Sequence, residues 1–216
     1  MVALAVGRLN SVDAVTVDAN GTLVRLLDPL PKLDETLWER GVKRTLAEIA
    51  HAFAVEGEYY RAHSLLGRDE DSLARLHADC AGVFVGELGA ELDPAEFAPA
   101  YVGSLEFELV PGAREALERV RALGLPLAVV ANWDATLHRT LRRLDVDRLF
   151  ETVVTSPEAG VLKPDPQIFE LALERLGVAP ERALHVGDDW VDEEGARRAG
   201  MRFAYAPLET ALAGVD

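Results

Sequence analysis

The chain has 216 residues and one cysteine, Cys80. A lone thiol closes no internal disulfide, so a reducing cytoplasm is the expected setting. Basic charge is also scarce: 22 Lys and Arg stand against 37 Asp and Glu, a formal net charge of −15. A chain of that sign repels nucleic-acid phosphates and anionic lipid, so neither is an expected partner. An anionic substrate would need a local cation, from a metal ion or a few basic side chains. No apolar run approaches the ~18 residues of a membrane span. Residues 1–7 are apolar but short, and the first basic residue, Arg8, follows them. That is the wrong order for a secretory signal. Lysine occurs at Lys32, Lys43 and Lys163, asparagine at Asn10, Asn20 and Asn132, and glutamine at Gln167. Depletion of amides fits a heat-tolerant source or a biased genomic base composition.

What is present is enough apolar material for a real core, 49% of residues. Five short runs rich in β-branched residues read as strands buried on both faces: 12–17, 125–130, 152–155, 183–186 and 202–205. Helical patterns lie between them at 112–123, 136–144 and 166–176, with Asp134 and Asp165 as expected N-caps and Gly177 as a stop. Alternation of strand and helix predicts an α/β fold, a doubly wound parallel sheet of Rossmann-like type. Residues 28–105 break the alternation. They carry helical patterns at 33–55, 59–65, 71–88 and 94–105 and no convincing strand. The expected organisation is therefore a core from residues 1–27 and 106–216 with a helical insertion at 28–105.

Open α/β sheets bind ligands at the carboxyl ends of their strands. Four such ends or adjoining loops carry polar residues. Asp18-Ala19-Asn20-Gly21-Thr22-Leu23 follows the first strand. Ala131-Asn132-Trp133-Asp134 follows the second. Lys163-Pro164-Asp165-Pro166 precedes a helix. Gly187-Asp188-Asp189-Trp190-Val191-Asp192 follows the fourth strand. An apolar run ending in an acid is weak evidence alone; four polar sites in this order are strong together.

With those four motifs the sequence resembles the haloacid dehalogenase-like hydrolases, a superfamily made mostly of phosphatases. The likeness covers residues 111–206 throughout, and the insertion matches the place of the family's helical cap. The resemblance implies that Asp18 attacks phosphorus and forms an aspartyl-phosphate. It implies a Mg2+ cofactor held by the Asp18 carboxylate, the Asn20 backbone carbonyl and Asp188. Asp189 and Asp192 would hold the metal's waters or orient Asp188. Lys163 would balance charge, while Ala131, Asn132 and backbone N–H groups near Ala19, Asn20 and Trp133 would line the phosphate site. The expected substrate is a small phosphorylated metabolite. His185 reads as a core residue; His51, His63 and His77 read as surface or packing. Arg61 and Arg68 could meet an anionic substrate, though solvated surface is the expectation.

Two departures matter. The family's phosphatases usually place a second Asp two residues after the nucleophile, where this chain has Asn20. An amide neither donates nor accepts a proton at neutral pH, and losing a general acid–base costs ~10²–10⁴ in rate. At the second motif, Ala131 replaces a Ser or Thr hydroxyl. Two rivals follow. The first motif also resembles 2-haloacid dehalogenases, which carry Asp-Ala-Tyr-Gly-Thr-Leu and use no metal; their fourth motif has Ser-Asn where this chain has Asp188-Asp189. The third reading is a non-catalytic phosphate- or metabolite-binding protein on the same scaffold.

Overall fold

The computed structural model describes residues 12–215. The apolar opening at 1–7 and Asn10 lie outside the described residues. Five parallel strands form the central sheet: β1 (Ala14–Val17), β4 (Leu127–Ala131), β5 (Thr152–Thr155), β6 (Ala183–Gly187) and β7 (Arg202–Tyr205), in spatial order β5-β4-β1-β6-β7. The chain runs outward from β1 through β4 to β5, then returns to build β6 and β7 on the other side. The strand order therefore reverses at β1, and the crevice between the carboxyl ends of β1 and β6 is the place where such sheets bind ligands. In register, Val17 lies opposite Val129 on one side and Val186 on the other.

β1, β4 and β6 are buried along their whole length, as uninterrupted apolar and β-branched sequence demands. Alternation divides each strand between two layers. Val15, Val17, Leu127, Val129, Leu184 and Val186 pack with α5 (Ala113–Ala122), α6 (Leu137–Arg143) and α10 (Leu208–Ala211). Ala128, Val130, Val154 and Ala183 pack with α8 (Gln167–Leu176) and α9 (Trp190–Arg198). A short α7 (Ser156–Ala159) follows β5.

Between β1 and α5 the chain makes a two-stranded antiparallel ribbon, β2 (Val24–Leu26) with β3 (Phe107–Leu109). Its strands are too short for a pattern of period two to declare itself. Four helices lie between them: α1 (Leu30–Trp38), α2 (Leu46–His63), α3 (Glu70–Glu87) and α4 (Pro94–Gly103). They share a separate buried cluster that includes Leu33, Leu37, Ile49, Leu76, Phe84, Phe97 and Tyr101.

The helix expected at 33–55 is two helices. Gly41 takes φ +77°, and Thr45 starts α2 through a reciprocal capping box with Glu48. The helix expected at 59–65 is the end of α2, followed by a 3₁₀ turn at Ser64–Leu66. Asp134 and Asp165 sit just before the helices they were expected to cap, accepting from the backbone N–H of Thr136 (2.7 Å) and Gln167 (3.0 Å).

Candidate active site

Asp18 is the first residue past β1, and its N–H donates to the Val186 carbonyl at 2.8 Å. That bond carries the β1–β6 pairing one step beyond the strand and fixes the carboxylate at the switch point. Asp18 is 6% exposed and Lys163 5%. The Lys163 ammonium donates to Asp18 Oδ1, to Asp192 Oδ1 at 2.6 Å and to the Val130 carbonyl at 3.2 Å. These bonds account for all three of its hydrogens.

Asn132, at the end of β4, holds the lysine's main chain. Its Oδ1 accepts the Lys163 N–H at 2.7 Å and its Nδ2 donates to the Lys163 carbonyl at 3.1 Å. The pair of bonds leaves one amide N–H over. Ala131 is buried, and its carbonyl accepts from the Ser156 hydroxyl at 3.4 Å.

Asp188 follows β6. Its Oδ1 accepts from Thr22 Oγ1 at 3.2 Å. The loop after β1 passes so close that a Cβ on Gly21 (φ +89°) would sit 2.2 Å from Asp188 Oδ2. Glycine is required there both for its backbone conformation and for the space. The same loop bonds Gly21 N–H to the Val24 carbonyl and Val24 N–H to the Ala19 carbonyl, each at 2.8 Å. The Asn20 carbonyl takes part in neither bond, and Asn20 itself is exposed.

Asp189 caps α9, accepting the Trp190 N–H at 2.5 Å. Asp192 is the reciprocal partner in that cap, its Oδ2 accepting the Asp189 N–H at 3.2 Å. Its Oδ1 takes Lys163, and His185 Nε2 lies 3.3 Å from the same oxygen. His185 is fully buried, with Nδ1 2.8 Å from Thr16 Oγ1. A polar chain therefore runs Thr16, His185, Asp192, Lys163, Asp18 through the interior. His185 is in the core, as expected, and its polar contacts there are the unexpected part. A histidine inside an apolar strand was the available signal, but its partners come from distant parts of the chain.

Burial sets the electrostatics. It pushes Asp18 up to about 7; Lys163 opposes this and Asp192 adds to it. Partial burial also raises Asp188. Burial works against Asp192 and Lys163 too, but Lys163 and then His185 hold Asp192 well below the carboxylate range, and Asp18 and then Asp192 hold Lys163 above the usual lysine value. Burial lowers His185, against the pull of Asp192. Asp18, Asp188 and Asp192 each offer an oxygen within 4.8 Å of the others, a hard donor set that suits a divalent cation such as Mg2+.

The sequence matches the family model described as haloacid dehalogenase-like hydrolase over residues 12–200. The chain belongs to the haloacid dehalogenase-like hydrolases. It is 49% identical over 94 residues to haloacid dehalogenase-like hydrolase domain-containing protein 3 of Xenopus laevis, a stretch covering 43% of this chain and 38% of that protein. This hydrolase thus spans well under two thirds of that relative. It is 32% identical over 197 residues to glyceraldehyde 3-phosphate phosphatase of Methanopyrus kandleri, covering 88% and 82% of the two chains. Among solved structures it resembles L-2-haloacid dehalogenase from Xanthobacter autotrophicus with chloropropionic acid covalently bound, at TM-score 0.66 and 26% identity, covering 90% and 77%.

The hydrolase's helical insertion rests on the loop after β4. Tyr60 Oη accepts the Asp134 N–H at 3.2 Å and the Gly67 carbonyl accepts the Ala135 N–H at 3.0 Å. His77 Nε2 lies 3.6 Å from Asp134 Oδ2, so this histidine faces the core and not open surface. His63 stacks on Tyr59, His51 is exposed beside Glu87, and Arg61 and Arg68 are exposed. Among the described residues, no helix is long and apolar enough to cross a membrane.

Proposed function

We propose that this hydrolase is a Mg2+-dependent phosphatase of a small phosphorylated metabolite, working in a reducing cytoplasm. Residues 28–105 act as a cap over the core formed by 1–27 and 106–216. The observation that carries the reading is the Asp18 carboxylate held by Lys163 at the switch point, with Asp188 within reach of a shared cation.

An Asp18 oxygen attacks phosphorus, and the bond from phosphorus to the leaving oxygen breaks. Water then attacks phosphorus, releasing phosphate and restoring the carboxylate. Lys163 keeps the nucleophile's surroundings from becoming too negative for a phosphate to approach. Asn132 holds the lysine in place and has one N–H left for a phosphate oxygen. The cation would be held by the Asp18 and Asp188 carboxylates and the Asn20 carbonyl. When bound, it supplies positive charge against the phosphate oxygens. With all three carboxylates ionised, Lys163 leaves two negative charges unbalanced, and one divalent ion matches them. Asn20 has no proton to give, so good leaving groups such as aryl or acyl phosphates should turn over fastest. The cap's seat on the loop after Asn132 fits closure that excludes water. The Methanopyrus kandleri relative's name makes a triose phosphate one substrate to try.

The test is turnover of p-nitrophenyl phosphate with magnesium, before and after a chelator, for the wild type and Asp18→Asn. Chelator-sensitive turnover lost in the variant is the expected result. No such turnover at high enzyme concentration overturns the reading. Asp18-Ala19 and Gly21-Thr22-Leu23 of the first motif and the likeness to the Xanthobacter enzyme favour a second reading, halide displacement from carbon, although Asn20 stands where those enzymes carry Tyr. Against it, Asp188 invites a cation that a halide pocket should lack. Metal-free halide release from 2-chloropropionate would promote it. A phosphate-binding protein without turnover would bind inorganic phosphate and fail both assays.

A further inference from the structure

His185 lies behind the nucleophile and its charge partner, yet it is the one imidazole that meets Asp192, the other carboxylate holding Lys163. It lies in β6 on the face that packs against α8 and α9. The Phe169 ring meets it edge-on at 4.9 Å and Phe203 lies 6.2 Å away. In a site this apolar an imidazole without a reason to be there would cost stability. Both of its nitrogens are satisfied, by Thr16 on one side and Asp192 on the other.

The two contacts fix the tautomer. An ionised carboxylate only accepts, so the hydrogen must be on Nε2, pointing at Asp192 Oδ1. Nδ1 then has a lone pair and accepts from the Thr16 hydroxyl. Asp192 Oδ1 thus receives two donors, His185 Nε2–H and the Lys163 ammonium, while Oδ2 receives the Asp189 N–H. Lys163 in turn divides its hydrogens between Asp192 and Asp18.

We infer that His185 is a positioning residue: its Nε2–H partly satisfies Asp192, so that the Lys163 ammonium stays shared with Asp18 instead of being drawn wholly to Asp192. Thr16 completes the device by setting which nitrogen carries the hydrogen. The effect on catalysis rests on the phosphatase reading above; the geometry does not. Without the Nε2–H donor, buried Asp192 has one fewer partner and competes harder for the lysine. Asp18 then loses its neutralising contact although no residue at the reacting atoms has changed.

The test compares Thr16→Val/His185→Leu, which removes both ends of the bond, with His185→Gln, whose amide N–H can still reach Asp192. Because the double variant leaves no hydroxyl unpaired, its melting temperature should stay within a few degrees of wild type. Its kcat for p-nitrophenyl phosphate should fall roughly 10–100-fold, the usual range for partners behind a metal or catalytic ligand, with KM changed little. His185→Gln should recover most of the loss. Two readouts stand apart from turnover. Histidine 15N NMR should show His185 as the Nε2–H tautomer. The Lys163 ammonium, one of three lysine side chains, should give a slowly exchanging 15N resonance whose chemical shift is alike in wild type and His185→Gln and moves in the double variant. An Nδ1–H tautomer, a Lys163 signal unchanged in the double variant, or equal kcat in an active wild type and the double variant would overturn the inference. If the wild type shows no phosphatase turnover, that reading fails alone and the two resonances still decide the role of His185.

Discussion

Lys163 and Asp18 form an ion pair whose side chains are 3% and 9% exposed, and the same ammonium also holds Asp192. Two buried carboxylates therefore share one cation, and they are affected unequally. Asp192 is kept ionised, whereas burial pushes Asp18 toward neutrality.

Removing the cation should be severe. Lys163→Met leaves two buried carboxylates with no counter-charge, and breaking a buried pair from one side costs about 3–5 kcal/mol. Urea unfolding at pH 7 should show that loss, shrinking as acid protonates the carboxylates. Asp18→Asn should behave in the opposite way. It removes a charge that burial disfavours and leaves Lys163 paired with Asp192. Its unfolding midpoint should equal or exceed that of wild type while turnover is lost. Equal destabilisation by both substitutions would contradict the unequal sharing.

The pH dependence follows from the same pair. Asp18 in the folded, cation-free protein is raised to about 7, above the ~3.9 of an unfolded aspartate. The native state thus holds the extra proton between those values. The stability that this proton contributes is fully present below about 4 and is lost as pH rises through about 7. Magnesium needs the ionised form, so its binding should release a proton and strengthen as pH rises through about 7. Calorimetry in buffers of different ionisation enthalpy measures the proton directly. Magnesium affinity that is flat from pH 6 to 8 would exclude Asp18 as the linked group.

Asn20→Asp restores a proton carrier where the amide has none. Turnover of poor leaving groups, such as alkyl phosphates, should rise by up to ~10². Turnover of p-nitrophenyl phosphate should rise less, because its leaving group needs little protonation. Unchanged or lower rates for both would mean that the proton comes from another group.

Much of this candidate site was legible in the chain because Asp18 and Asp188 each follow a short, mostly apolar run and open a turn. Lys163 stood out by its rarity beside Pro164 and Pro166. What sequence could not show was how partners are shared. Asn132 was expected to grip phosphate, and the two bonds it makes go to the main chain of Lys163. Thr16 and His185 are 169 residues apart and meet only because β1 and β6 are neighbours in register. Local pattern carries no trace of such a contact. The ribbon of β2 and β3 was missed for a related reason, since three-residue strands are defined by their partner and not by their own composition.

Gly21→Ala tests how tightly the loop after β1 and Asp188 are fitted to each other. The added Cβ would stand 2.2 Å from Asp188 Oδ2 and force a non-glycine residue to φ +89°. The backbone strain alone costs about 1–3 kcal/mol. The carboxylate is the more mobile partner, so it should give way and lose its bond from Thr22. Magnesium affinity should then fall at least tenfold by titration calorimetry, more than the modest drop in melting temperature would imply. Gly41→Ala is the control. It carries a similar φ of +77° with nothing within 4 Å of its added Cβ. It should show the strain without the loss of metal. If both variants bind magnesium like wild type, Asp188 is not a ligand.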